Sequence, residues 1–457
     1  MSEDPLTLVA ESDECFQDAP SERSEGHVSD SSGKSRIVRL STRAQRAEGE
    51  TIVSTLMAKT LAHPELVSLA AGFVDTSGLP VETVIAAAAS VLSDTGRAQA
   101  ALQYGTTAGY PPLREAILDR LAMADGTTIS EMGLSTDQVV VTAGSNQLLH
   151  HVGEVLLDPG DIVLCAAPSY FVFLGILESL GARTVGVDAD ENGIIPEALE
   201  ATLLTLEKAG DAGRVKAIYV TSYYDNPAGV SVSRDRRPEL VEIAERHSRE
   251  HRIHIIEDVA YRELRYRGDD LPSLHSFDTA GNTVIQAGTF SKSFSPGIRI
   301  GWGILPTDLL EPVLAQKGHL DFGTANFNQA LMAEVFAQNK FDLHVAQLRD
   351  RYRGKMVSAL AAVDEYLRPI DGVECVAPDG GLYVWLQLPE TIDTGLTGPL
   401  FDRAVEEGVL YVPGEVCYPR DGVPIRKNTI RLSFGIQSSE SIREGVAALA
   451  RAIRSVE

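Results

Sequence analysis

Lys292 sits in the segment TFSKSFSPGIRIGW, residues 289–302, just after the apolar run NTVIQAGTF (282–290), which reads as a buried strand. An amine held at the end of a buried strand can condense with a carbonyl to give a Schiff base. Thr289 and Ser291 add hydroxyls beside it, and Arg299 follows in a bend rich in Gly and Pro. Two hydroxyls and a guanidinium suit a phosphate ester. Taken alone, the segment also fits a surface lysine in a polar loop.

Three more segments carry groups of complementary chemistry. In VVVTAGSNQLL a strand runs into Gly144 and a helix opens at Ser145 and Asn146. The free N–H groups of a helix N-terminus bind anions, and a serine there adds a donor; Ser145 could equally be only an N-cap. YVTSYYDNPAG places Asn226 and Pro227 at the C-terminal end of a strand, and HIIEDVAY does the same for Asp258 and Tyr261. Ligands of open α/β sheets bind beyond the carboxyl ends of strands. Asp258 could cap a helix, or it could hold the protonated nitrogen of a pyridine-type ring and keep that ring an electron sink.

The elements that would position these groups follow a βαβ rhythm. Strands are predicted at 138–143, 161–167, 184–190, 215–222, 254–260 and 282–290, with helical patterns between the first five. This predicts an α/β fold with a doubly wound, mostly parallel sheet covered by helices. A helical pattern also covers about 41–61 and stops at His63-Pro64. Beyond about residue 330 the rhythm changes to a long helical stretch (325–367), strands at 381–388, 408–414 and 429–435, and a last helix, which predicts a smaller α+β domain. The expected organisation is an acidic disordered tail at 1–40, an arm at 41–79 contributing to the small domain, a large domain at 80–330 and a small one at 331–457. The tail expectation rests on nine acids against two bases in residues 1–35, with few large apolar side chains.

The 457 residues carry 40 basic and 64 acidic side chains, a formal charge of −24. That balance argues against nucleic acid or an anionic membrane surface as a main partner. The chain has no apolar run of the roughly 18–20 residues needed to span a bilayer, and its first residues lack the pattern of a secretory signal. The four cysteines, at 15, 165, 375 and 417, form no CxxC pair and no zinc spacing. A cytoplasmic protein with reduced thiols and no metal is the expectation. The histidines of HRIHIIED straddle a helix–strand junction and make a poor metal site. The absence of GxGxxG after the first strand, and of GxxxxGK[ST], disfavours nicotinamide-binding and P-loop readings.

In their order along the chain, these segments resemble fold type I pyridoxal 5′-phosphate enzymes of the class I/II aminotransferase family, and most of all the subgroup of 2-aminoadipate and broad-range aminotransferases. The resemblance spans about residues 41–455. It implies that Lys292 is the Schiff-base lysine and that Asp258 pairs with the pyridinium nitrogen. It implies that Asn226 and Tyr261 bond the ring hydroxyl, that Tyr170, in APSY, stacks on the ring, and that Ser145, Asn146, Thr289, Ser291 and Arg299 cradle the phosphate. Arg431, in TIRLSFG, would clamp the substrate carboxylate, with the backbone of Gly72, in SLAAGFVD, and Asn226 beside it. Tyr104, in LQYGTTAGY, would reach the phosphate of a neighbouring subunit, which implies a homodimer with shared sites.

The chain departs from the family pattern in several places. NPAG stands for NPTG, so Ala228 lacks a hydroxyl; Asn146 stands where Gln is common; AAGFVD (70–75) replaces GGxP; and VAY (259–261) replaces a more acidic version. The implied activity is transfer of an amino group between an L-2-amino acid and a 2-oxo acid, with 2-oxoglutarate expected as acceptor. A lyase or cyclase on the same scaffold is the alternative. An aminotransferase-like transcription regulator would need a basic, folded DNA-binding segment ahead of the core, where this chain has about 40 acidic, Ser-rich residues.

Overall fold

The computed structural model describes residues 28–29, 35–36, 38–46 and 52–456. It divides into two units, residues 1–45 and 46–457. In the first, Val28–Ser29 pairs antiparallel with Ser35–Arg36, and a short helix, Thr42–Arg46, begins. The tail expected at 1–40 otherwise falls almost wholly outside the described residues. The helix expected over 41–61 is described as Thr42–Arg46 and Ile52–Ala62; residues 47–51 lie outside the description.

Among the described residues, the second unit has fourteen strands: β1 (Val67–Ser68), β2 (Val139–Thr142), β3 (Ile162–Ala167), β4 (Arg183–Asp190), β5 (Gly193–Ile194), β6 (Val215–Thr221), β7 (His254–Asp258), β8 (Val284–Thr289), β9 (Gly301–Ile304), β10 (Glu374–Cys375), β11 (Tyr383–Gln387), β12 (Val409–Leu410), β13 (Val412–Pro413) and β14 (Thr429–Ser433). The large sheet has the order β2-β9-β8-β7-β6-β3-β4-β5. Its pairs from β8 through β7, β6 and β3 to β4 are parallel. β9 runs antiparallel to both neighbours, and β5 is an antiparallel edge.

The central strands β3, β6, β7 and β8 are almost wholly buried because both faces are covered. Ala217 and Tyr219 of β6 face a core with Leu148, Phe173, Leu309 and Val313, from the helices Ser145–Leu156, Phe171–Leu180 and Thr307–Leu320. Ile218 and Val220 face the opposite core with Leu199, Leu203, Leu240 and Val241, from Pro196–Ala209 and Arg236–His247.

The small sheet is antiparallel, in the order β10-β11-β14-β13. β1 pairs parallel with β12, and the Ser433 N–H donates to the Leu69 carbonyl (2.6 Å), so the chain near residue 70 lies along the small sheet. The helical stretch expected over 325–367 is broken at Asn339, whose φ of 53° separates Asn326–Ala337 from Lys340–Ala362. Strand β9 stands where the sequence predicts only a bend after Lys292, because Gly301-Trp-Gly-Ile shows neither length nor alternation. No helix among the described residues is long and apolar enough to cross a membrane.

Candidate active site

Sheet register assembles one end of the site. Thr289 of β8 pairs with Gly301 of β9, which pairs in turn with Thr142 of β2. The loops leaving β8 and β2, which carry Ser291-Lys292 and Gly144-Ser145, therefore emerge on either side of β9. A side chain at Gly301 would collide with the backbone of Gly144 and Ser145. Gly144 has φ 85°, and a Cβ there would lie 2.8 Å from Arg299 Nη2. Two glycines thus let the start of the helix Ser145–Leu156, the guanidinium of Arg299 and β9 close on one spot. Thr289 Oγ1 donates to Ser291 Oγ (2.9 Å), and Arg299 Nη2 donates to the Ala143 carbonyl (3.2 Å). This grouping of helix N–H groups, hydroxyls and a guanidinium is an anion cradle.

Asp258 ends β7, in register with Ala287 of β8 and Thr221 of β6. Its carboxylate is buried and accepts from Tyr219 Oη (3.0 Å) and the Ala260 N–H (3.0 Å). Burial pushes the carboxyl up to about 6, against these two bonds and with the help of neighbouring Glu257. A cationic ring nitrogen opposite it would favour the charged form. Tyr170 precedes the helix Phe171–Leu180, and its Oη donates to Asn146 Oδ1 (3.4 Å).

The other end is made of chain distant in sequence. Arg431 of β14 is 3% exposed; Nη1 donates to Asn226 Oδ1 (2.8 Å) and Nη2 to the Ala70 carbonyl (2.7 Å). Its Nε is buried and, among the described residues, has no hydrogen-bond partner, an unmet donor of the kind an incoming carboxylate satisfies. The guanidinium lies over the ring of Tyr383 (4.3 Å) and near that of Phe171 (5.5 Å). Tyr383 Oη also meets Tyr261 Oη (3.0 Å), which Asn226 Nδ2 reaches at 3.5 Å. Lys292, half-buried, donates from Nζ to the Gly72 carbonyl (2.7 Å). Burial, together with the charges of Arg431 and Arg299, holds its pKa below the usual lysine range. Gly72 has no room for a side chain, because a Cβ would lie 2.7 Å from Tyr383 Oη.

The loop that supplies Ala70 and Gly72 is latched from behind. Buried Asp75 pairs with Lys355 Nζ (2.8 Å) and accepts from Ser77, while its own N–H donates to Tyr352 Oη (2.9 Å). Lys355, also buried, donates to the Gly435 carbonyl just beyond β14 (3.0 Å). Burial raises the Asp75 pKa, but the bonds from Lys355 and Ser77 outweigh it and leave the carboxyl below its usual range. At Lys355 burial outweighs the pairing and lowers the amine.

All the predicted site residues but one therefore fall into two connected groups. Tyr104 stands apart, 80% exposed with its ring edge against Phe322 (5.4 Å). Sequence reasoning missed Tyr383, Tyr219, Phe171 and the Asp75–Lys355 latch. Tyr383 was within reach, since its strand is predicted and the alternation GLYVWLQL puts Tyr383 and Trp385 on one face.

The family model for aminotransferase class I and II matches residues 64–449. The aromatic-amino-acid aminotransferase 1 of Thermococcus litoralis is 35% identical over 87% of this chain and 90% of its own length. The 2-aminoadipate transaminase of Thermus thermophilus is 33% identical over 90% of this chain and 96% of its own length. Among solved structures, the α-aminoadipate aminotransferase of Thermus thermophilus, complexed with N-(5′-phosphopyridoxyl)-L-leucine, superposes with a TM-score of 0.77 at 31% identity, covering 91% of this chain and 97% of that one.

Proposed function

Given that the chain belongs to the class I and II aminotransferases, enzymes that move amino groups between amino acids and oxo acids, we propose that it uses pyridoxal 5′-phosphate held between the two groups of residues described above. The observation that carries this reading is the amine of Lys292, lowered in pKa and bonded to Gly72 on a loop that also meets the half-satisfied guanidinium of Arg431. The residues fit the cofactor. The cradle of Ser145, Asn146, Thr289, Ser291 and Arg299 suits its phosphate, the buried carboxylate of Asp258 its ring nitrogen, Asn226 and Tyr261 its hydroxyl, and the ring of Tyr170 its face. When bound, the group supplies an aldehyde that condenses with amines and a conjugated ring that accepts the electron pair left at Cα.

The protein's own part is to orient and to move protons. Asp258 keeps a proton on the ring nitrogen. Arg431, with the backbone of Gly72 and with Asn226, fixes the substrate carboxylate and so aims the Cα–H bond. Lys292 Nζ takes the Cα proton and returns it on the other side of the reaction, a role its lowered pKa suits. The oxo-acid product leaves before the acceptor, 2-oxoglutarate in this reading, binds; the kinetics are then ping-pong. The site is completed in a homodimer by Tyr104 of a second copy, a reading supported by exposed Leu102, Tyr104, Leu320 and Phe322. We place the enzyme in the cytoplasm on composition alone.

The test is direct. Protein supplied with pyridoxal 5′-phosphate should absorb in the visible and, after borohydride, carry a pyridoxyl adduct on Lys292 by mass spectrometry. A panel of amino donors with 2-oxoglutarate should yield glutamate. A colourless protein with no adduct would end the cofactor assignment, and sustained release of ammonia from an amino acid alone would favour the lyase alternative.

A further inference from the structure

Asp225 and Asn226 are neighbours in sequence but serve different spaces. Asn226 turns to Arg431 and Tyr261. Asp225 lines a cavity of about 220 Å³ bounded by Ala167 and Thr221 of the large sheet and by Trp385 and Gln387 of the small one. None of Ser145, Tyr170, Asn226, Asp258, Lys292 or Arg431 lines it. The volume equals that of roughly seven waters at about 30 Å³ each, room for one ring and its headgroup.

The lining favours positive charge. Asp225 is 8% exposed; its carboxylate accepts from the Thr221 hydroxyl and from backbone N–H groups of Ala228 and Asn226 and, among the described residues, forms no ion pair. Burial pushes it up to about 7. Glu191 and Glu374 stand exposed at the rim and, among the described residues, form no ion pair. Asp190 is neutralised by Arg236 (2.6 Å). Among the described residues, the one base in the lining is the exposed Arg426, which donates to Gln387 Oε1 (2.8 Å). Two aromatic rings, Trp385 and Tyr418, lie 6.5 Å apart in the wall. Ring faces attract cations, most strongly where water is excluded, and a buried carboxylate without a counter-charge is relieved by one.

We propose that this cavity is a binding site for a small organic cation with an apolar body, its charged head on Asp225 and its body against Trp385 and Tyr418. The site lies outside the reacting centre, and the reading stands whether or not the cofactor assignment does. The probe must not condense with an aldehyde, so a quaternary ammonium is required. Titration of the holoenzyme with benzyltrimethylammonium chloride, followed by calorimetry and by quenching of Trp385 fluorescence, should show one saturable site per chain. Asp225→Asn should weaken binding at least tenfold, Glu374→Gln by less, and Trp385→Phe should remove the quenching. Benzoate should not bind there. If Asp225→Asn fails to fold, Glu374→Gln and Trp385→Phe carry the test. Absence of saturable binding, an affinity unchanged in the variants that fold, or competition by benzoate would overturn the proposal.

Discussion

The two ends of the proposed active site, one for the cofactor and one for the substrate carboxylate, are built by different means. At the cofactor end, Thr289, Gly301 and Thr142 are held in one row by strand pairing, and Asp258 ends the next strand. Backbone register places the chemistry there, and sheet hydrogen bonds shared by many residues hold it. At the carboxylate end, Arg431, Asn226, Ala70 and Gly72 come from three separate stretches of chain, joined by side-chain bonds and by one buried ion pair behind the loop. The difference teaches where this fold can change. A register-built end tolerates little, whereas a latched end can shift with a single pair. The departures from the family pattern fall at both ends, AAGFVD at the latched one and Asn146 and VAY at the register-built one.

The largest effect should come from removing the amine that serves both ends. Lys292→Ala should lower turnover by about 10²–10⁴-fold or more, the range for a lost general acid–base group, and abolish the visible band. A variant that kept near-normal turnover would show that proton transfer belongs to another group. Next, Arg431→Lys keeps the charge but loses the fork. Two charge-assisted bonds at about 1.5–3 kcal/mol each are at stake. We expect kcat/KM to fall roughly 10²–10³-fold with the visible band unchanged. A loss of cofactor instead would mean that the two ends are not separable.

Much of this division is legible in the sequence. The strands ending at Thr142, Thr221, Asp258 and Thr289 are each predicted to within two residues or so, because a strand buried on both faces is a short apolar run closed by polar residues. The cofactor-end residues follow directly from such strand ends. What fails to show is β9, whose Gly-Trp-Gly-Ile has no alternation and whose place is set by its neighbours. Also hidden is the latch, because a buried Asp–Lys pair about 280 residues apart in sequence leaves no local signal. Tyr219 is hidden likewise, one aromatic among the apolar residues of β6.

The latch gives the third prediction. Asp75 and Lys355 are placed behind the loop, away from the reacting atoms, so Asp75→Asn should raise KM for amino donors about tenfold and change kcat less. Leaving Lys355 buried without its partner should also destabilise the protein by about 3–5 kcal/mol, seen as a fall in Tm. Replacing both, Asp75→Asn with Lys355→Met, should recover part of the stability but not the KM. A fall in kcat alone, with KM intact, would break the comparison by showing that the loop is not held from this side.

The smallest effect separates the two ends by pH. Asp75 and Asp258 are both buried carboxyls, yet their pKa values move in opposite directions. The folded pKa of Asp75 lies below its unfolded value, so its stabilisation is present above about pH 4 and is lost as pH falls through the lowered value. Asp258 in cofactor-free protein is raised from 3.8 to about 6. The folded state then binds the extra proton between those values, so stability falls as pH rises through that window. Asp258→Asn, which cannot ionise, should therefore raise the Tm of cofactor-free protein by roughly 1–3 °C at pH 8, with the gap closing towards pH 4. Asp75→Asn should lower Tm at pH 8, with its gap also closing towards low pH. Adding the cofactor should reverse the first sign only, because a ring nitrogen bearing a proton turns the Asp258 charge from a cost into half of an ion pair. Two variants with the same sign at pH 8 in cofactor-free protein would mean that Asp258 already has a counter-charge in the empty site, and the distinction between a waiting acid and a paired one would fall.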